Sequence, residues 1–376
     1  MSHEIVFDQL PVGYVVSAAT SGQDVMVRQR GFLSSEDGDQ LITHLEGLPQ
    51  LCLARMAAGR PISPAAVQCM LVVIRRDRSA TVYLNNEVPA RLRMQVKRPM
   101  LKGAAVTCDD ATDVVAVRFE GVAIPPDAGL LYLFSVGWRQ GLYFDLSSLH
   151  GDSGMRTTDE LEALLGGLYA YLMFQDRFKI DAATWQAFLA QRWFPFAHLS
   201  ESLIRDMIRQ AADGFNVDDL LPKVAANASR LLAEAPISDL PMHAFEEHRA
   251  LLATAAERYE AGDHVSCTSI LYPRIEGLMR SHRRQQGCTG DASGRELTAS
   301  AISSLGEESA ARSALLPQRF REYLDTVYFA SFAPGSGPDA GRHSVAHGEA
   351  RPDSFDLKSS TIALLVVYQL ASFFAR

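Results

Sequence analysis

The hydrophobic pattern of this chain changes period near Gly151-Asp152-Ser153-Gly154. Before that point the apolar residues alternate with polar ones, as on a strand with one covered face. After it they recur at three- and four-residue spacing, as on helices. Ala90–Lys97 shows the first pattern, with Leu92, Met94 and Val96 on one side and Arg91, Arg93, Gln95 and Lys97 on the other. Further strands are expected at Gly13–Ala18, Val25–Arg30, Met70–Arg75, Thr81–Leu84, Val114–Phe119, Leu130–Val136 and Gly141–Leu146, with a helical insertion at Glu36–Ala58. Beyond the change, Thr158 is expected to cap a helix carrying Leu161, Leu165, Leu168 and Leu172. Helices are then expected at Ala182–Arg192, Glu201–Ala212, Val217–Glu234, Met242–Ala261, His264–Gln286, Arg312–Phe332 and Ser354–Ala375. The fold class is therefore α+β and multidomain. Residues 1–150 form a mostly-β sandwich or barrel-like domain, residues 151–240 an all-α connector, and residues 241–376 a helical bundle.

Thr361–Ala375 reads TIALLVVYQLASFFA, apolar on every side. It is shorter than the roughly 20 residues of a spanning helix. A buried bundle or dimer helix is the expectation, with no membrane partner. The N-terminal Met1-Ser2-His3-Glu4 lacks the basic and apolar runs of a signal peptide. The five cysteines are scattered and form no CxxC pair, which suits a reducing, cytoplasmic compartment and argues against a thiolate zinc site. Neither GxxxxGK nor GxGxxG occurs, which removes the simplest nucleotide-binding readings. Net charge is −8, divided −1, −5 and −2 among the three segments. Binding to nucleic acid would thus need a local basic surface, and residues 151–240 are the poorest place for one.

The chemistry-bearing stretch is Arg342-His343-Ser344-Val345-Ala346-His347, which follows the Gly- and Pro-rich run 333–341 and precedes the last apolar helix. Cleavage of an RNA phosphodiester needs proton transfer and stabilisation of charge on the phosphate oxygens. Histidine serves the first because it titrates near neutrality. Arginine serves the second through its fixed charge and forked donors. Spacing alone is weak, since an Arg followed by His within four to six residues also occurs at Arg192–His198 and Arg258–His264. Arg192 is followed by aromatics that resemble a packed helix end, and His264 lies beyond a break at Gly262. A bland alternative exists for Arg342 and His347 as well: a surface loop and helix cap.

The segment from about Pro241 to Arg376 resembles a HEPN domain, a helical bundle found in many prokaryotic ribonucleases of toxin and antiviral systems. Arg342, the polar His343 and His347 match that family's motif near its last core helix, and His347-Gly348 resembles a frequent ending of it. The helix Leu271–Arg280 resembles another family helix, with Glu276 as its acidic residue. Glu349 departs from the family, some members of which carry Tyr there. The resemblance implies metal-independent endoribonuclease activity without a cofactor, in antiviral defence or growth arrest, from a homodimer with a composite site. His347 would be the general acid or base, Arg342 would hold the phosphate, and His343 and Glu276 would orient them. The alternative is a non-catalytic dimeric sensor or assembly module whose β domain binds a ligand or protein trigger.

For RNA binding the candidates are Arg91, Arg93 and Lys97 on one strand face and Arg280, Arg283 and Arg284 at a helix end. A solvated sheet face and cations complementing a helix dipole explain them equally. Glu276 is as readily a solvated carboxylate. His343 and His347, four apart, would suit a metal pair, but no third ligand is evident and no metal is expected.

Overall fold

The structure, a computed structural model, describes residues 2–11, 15–16, 20–23, 27–56, 62–149, 156–240, 243–303, 312–331 and 339–375. An antiparallel sheet region is followed by a mostly helical one, an α+β arrangement. The chain forms two compact units, Met1–Arg93 with Ala116–Met173, and Met94–Val115 with Phe174–Arg376. The expected turn at Gly151–Gly154 and most of the loop 333–341 lie outside the described residues, as do parts of the expected strands Gly13–Ala18 and Val25–Arg30.

In the first unit six strands form one antiparallel sheet: β1 (His3–Val6), β4 (Arg30–Ser34), β5 (Met70–Ile74), β6 (Ser79–Leu84), β9 (Gly129–Val136) and β10 (Arg139–Asp145), in the order β1-β6-β5-β9-β10-β4. Short β2 (Val15–Val16) pairs with β3 (Val27–Arg28), and β7 (Ala90–Val96) with β8 (Ala111–Phe119). The six-stranded sheet is open, so the expected sandwich or barrel is corrected. Among the described residues its centre is covered by a helix on one face and by a helix together with Phe119 of β8 on the other. On one face Met70, Val72, Ile74, Leu131 and Leu133 pack with Leu41, Leu45 and Leu53 of α1 (Asp39–Met56). On the other, Tyr132 hydrogen-bonds Tyr169 of α2 (Thr158–Met173) at 2.7 Å, and Phe134 stacks on that ring at 4.2 Å. Cover on both faces is why Met70–Ile74 is buried at every position, with no alternation. Helix α2 is capped by Thr157, one residue before the expected Thr158: the Thr157 Oγ1 accepts from Glu160 N at 3.2 Å, and Glu160 Oε2 accepts from Thr157 N.

The second unit is helical: α3 (Gln175–Phe178), α4 (Ala182–Ala190), α5 (Glu201–Ala212), α6 (Leu221–Glu234), α7 (His243–Glu246), α8 (Arg249–Glu260), α9 (His264–Gln285), α10 (Gly294–Ile302), α11 (Pro317–Tyr323), α12 (Arg342–Ala346) and α13 (Leu357–Phe374). The expected helix Met242–Ala261 is broken between α7 and α8. The expected Arg312–Phe332 starts only at Pro317 and ends in a π-helical turn, Leu324–Tyr328. Helix α13 has the length and apolar composition of a membrane-crossing helix, yet Ser360–Phe373 is buried in this unit. Its polar side chains are satisfied there. Gln369 accepts from Ala197 N at 2.9 Å and donates to Leu315 O at 3.1 Å, and Thr361 meets the Tyr259 hydroxyl at 2.9 Å.

Helix α9 packs against α8, α10, α12 and α13. Its Gly277 lies under His248, whose Nε2 meets Ser281 Oγ at 3.0 Å. A Cβ at Gly277 would stand 2.8 Å from His248 Cε1. Alanine improves an exposed helix interior by about 1 kcal/mol over glycine, whereas overpacking a core costs about 1–3 kcal/mol. Gly277→Ala is expected to destabilise the protein in urea denaturation. In a His248→Ala background the same change is expected to stabilise it; destabilisation in both backgrounds would refute the contact as the cause.

Candidate functional site

Helix α9 runs unbroken through a proline at its centre. Pro273 has no N–H to give the ladder, and one turn on, a side chain from outside the helix bonds both Glu276 N and Tyr272 O. The Tyr328 hydroxyl accepts from Glu276 N at 3.0 Å and donates to Tyr272 O. Tyr328 ends the π-helical turn and is buried. Burial pushes its phenol well above the usual tyrosine range, so it stays a neutral donor.

This bridge holds the backbone at Glu276, whose side chain is 10% exposed and lies between two guanidiniums. Arg280, one turn on, gives Oε1 two bonds, from Nε at 2.9 Å and from Nη2 at 2.7 Å. Arg342 Nε donates to Oε2. Burial alone would raise the Glu276 pKa, but the bonds and charges of Arg342 and Arg280 outweigh it and hold the acid below its usual 4.5. With the carboxylate ionised, the three groups carry a net single positive charge.

Helix α12 has five residues, too few to persist alone. Buried Ser344 ties its start: Oγ accepts from Gly341 N at 2.8 Å and donates to Asp339 O at 2.7 Å. Arg192 donates to Ala340 O, and Arg351 reaches Asp339 Oδ1 at 2.5 Å. At the other end Glu349 N donates to Ser344 O at 2.9 Å and Gly348 N to Val345 O at 3.2 Å, a Schellman closure with Gly348 at φ +71°. The Gly after His347 therefore has a backbone reason, since this left-handed position favours glycine.

Arg342 Nη1 donates to His343 Nδ1 at 3.2 Å, which leaves that ring's own proton on Nε2 when it is neutral. Burial first, and then the Arg342 charge, lower the His343 pKa, which favours that neutral form. The His343 ring also meets Phe329 at 6.1 Å and lies nearly parallel to the His347 ring at 6.5 Å. His347, at the C-terminal cap of α12, is exposed. Arg342, His343, Glu276 and Arg280 thus form one bonded network, with His347 beside it. Among the described residues no group of three His, Cys, Asp or Glu is placed to hold a metal.

The other expected binding residues divide. Arg280 serves the Glu276 clamp. Arg284 pairs with Glu247. Arg283 has its Nε buried without a hydrogen-bond partner. Arg91 pairs with Glu120 at 2.7 Å, and Arg91 and Arg93 belong to the first compact unit. Lys97 is corrected: it is buried and donates to Leu199 O at 2.7 Å, so its ammonium does not face solvent on a basic strand face. The expected inward residues Leu92 and Val96 are instead 38% and 41% exposed. Sequence reasoning missed Tyr328, Phe329 and Ser344; the one available signal was a proline inside the helix three residues before Glu276. Of the two rival pairs, His198 is buried, and His264 Nδ1 meets Ser360 Oγ at 3.0 Å.

No protein-family model, curated protein or solved structure matches this chain.

Because the Glu276 pKa is depressed in the folded state, its stabilisation is complete above about pH 4.5 and is lost as pH falls through the lower folded value. Glu276→Gln is expected to cost about 3 kcal/mol at neutral pH, as for breaking a buried pair. The gap from wild type should close in denaturation experiments carried below about pH 4.5. A gap independent of pH would contradict the clamp.

Proposed function

We propose that the second unit is a HEPN-like endoribonuclease that cleaves RNA without a metal, through Arg342 and His347. The observation that carries this reading is the contrast within α12. Arg342 is locked by buried Glu276, while His347 on the same short helix is exposed. A fixed guanidinium suits a phosphate, and an accessible imidazole suits proton transfer to or from a ribose hydroxyl or leaving oxygen. The net positive charge of the Arg280–Glu276–Arg342 cluster favours an anionic substrate over a neutral one. His343 acts as a positioning residue through its bond to Arg342. One chain supplies one arginine and one exposed histidine, which fits half of a homodimeric site. A role in antiviral defence or growth arrest, with the β-rich unit receiving a trigger, rests on the family resemblance.

A second reading has its own observation. Glu276 already neutralises one guanidinium, as in an ion-pair network that only holds helices together in a non-catalytic, dimeric assembly module. Purified protein assayed on RNA with excess chelator separates the two. His347→Ala is expected to slow cleavage by roughly 10²–10⁴ while unfolding as wild type does. Equal cleavage by wild type and variant, or none by either, removes the enzyme reading.

A further inference from the structure

Away from α12, a groove of about 690 Å³ runs between α5 and α6. That is the size of a small-molecule site. Lys223, Asn227 and Arg230 line it at i, i+4 and i+7 spacing, one face of α6, opposite Ser202 and Asp206 of α5. An inner cavity of about 110 Å³ shares Asp109, Ser200, Asn227 and Arg230 with the groove and continues to His198. Among the described residues Lys223, Asn227 and Arg230 have no hydrogen-bond or ion-pair partner.

A second, independent observation lies at the inner end. His198 is 7% exposed, and its Nδ1 is buried without a hydrogen bond. Burial, then the charges of Lys97 and Arg177, hold its pKa down to about 3, so the ring is neutral. A neutral imidazole has one donor and one acceptor nitrogen, which match a hydroxyl group. Asp109 already accepts from Glu201 N at 2.7 Å, and its carboxylate and that of Asp206 would also take hydroxyl donors while repelling a bare anion. In the outer groove the cations thus stand on α6 and the acids Asp109 and Asp206 opposite, while the inner cavity adds Lys97 and Arg98, each paired with a carboxylate, beside His198.

We propose that this groove binds a small phosphorylated sugar, with the phosphate on Lys223 and Arg230 and the sugar hydroxyls toward Asn227, Asp109 and the His198 end. The site is independent of the ribonuclease reading and stands if that reading fails.

Calorimetric titration of the full chain tests it, with ribose 5-phosphate, ribose and inorganic phosphate as probes. Ribose 5-phosphate is expected to bind, with both other probes at least about tenfold weaker. Lys223→Ala and Arg230→Ala are each expected to weaken it about tenfold, the loss typical of one charged hydrogen bond. Asn227→Ala should weaken ribose 5-phosphate without altering thermal unfolding. Absence of ribose 5-phosphate binding, phosphate binding as tightly as ribose 5-phosphate, or unchanged affinity in the Lys223→Ala/Arg230→Ala double variant overturns the proposal.

Discussion

A proline in the interior of a 22-residue helix is the constraint on which the candidate site depends. Proline in that position removes a ladder bond and crowds the preceding turn, at a cost of about 3 kcal/mol. The helix continues past it, and the phenol of Tyr328 bonds both Glu276 N and Tyr272 O one turn on. That phenol ends the π-helical turn Leu324–Tyr328, a departure from α geometry that recurs at functional positions. Phe329 follows directly and packs on His343 and close to Gly294, where a Cβ would stand 3.0 Å from its ring. Pro273, Tyr328, Glu276 and Arg342 are therefore links of one chain of contacts, and each fixes the next.

The second unit has another such constraint in its buried charges. Arg177 is fully buried, and its guanidinium donates to Thr112 O at 3.3 Å, Ala314 O at 3.2 Å and Glu201, with its charge over the Phe174 ring at 4.6 Å. Asp113, equally buried, accepts from Ala314 N at 3.1 Å and Ser313 Oγ at 2.5 Å. Isolated charges in such surroundings would be prohibitive, and pairing with convergent donors and acceptors makes them tolerable. These bonds attach Met94–Val115 to the helices of its unit, and the same segment brings Lys97 and Asp109 to α5.

That segment shows where the sequence stopped being readable. Periodicity located most helices and strands, including the β-to-α change, because it reflects local burial on one face. It could not reveal what covers both faces of β5 and β9, since an unbroken apolar run looks alike whether helices or strands lie over it. At β7 the alternation was present, but the side it buried depended on partners distant in sequence: Lys97 found Leu199 O, and Leu92 and Val96 were left partly exposed. At the site Arg342, His343 and Glu276 were legible as residue types, and a bond from Glu276 to Arg342 was one of two readings left open beside a solvated carboxylate. The clamp by Arg280 was not, because a cation near a helix C-terminus already has a sufficient local explanation. The π-helical turn left no periodic signature at all.

The arrangement around Glu276 bears on how one chain could combine rigidity with phosphate binding. A five-residue helix has no stability of its own, so its arginine would ordinarily lose side-chain freedom on meeting a ligand. Here the buried carboxylate holds the guanidinium before any ligand arrives, which lowers the entropic cost of a productive pose. A single carboxylate facing a single arginine would cancel its charge. Arg280 bonds Oε1 while Arg342 bonds Oε2, so one positive charge remains on the cluster. His347 has no place in this network. It is exposed on the cap of the same short helix, and a clamp that only held the helices together would not require that exposure.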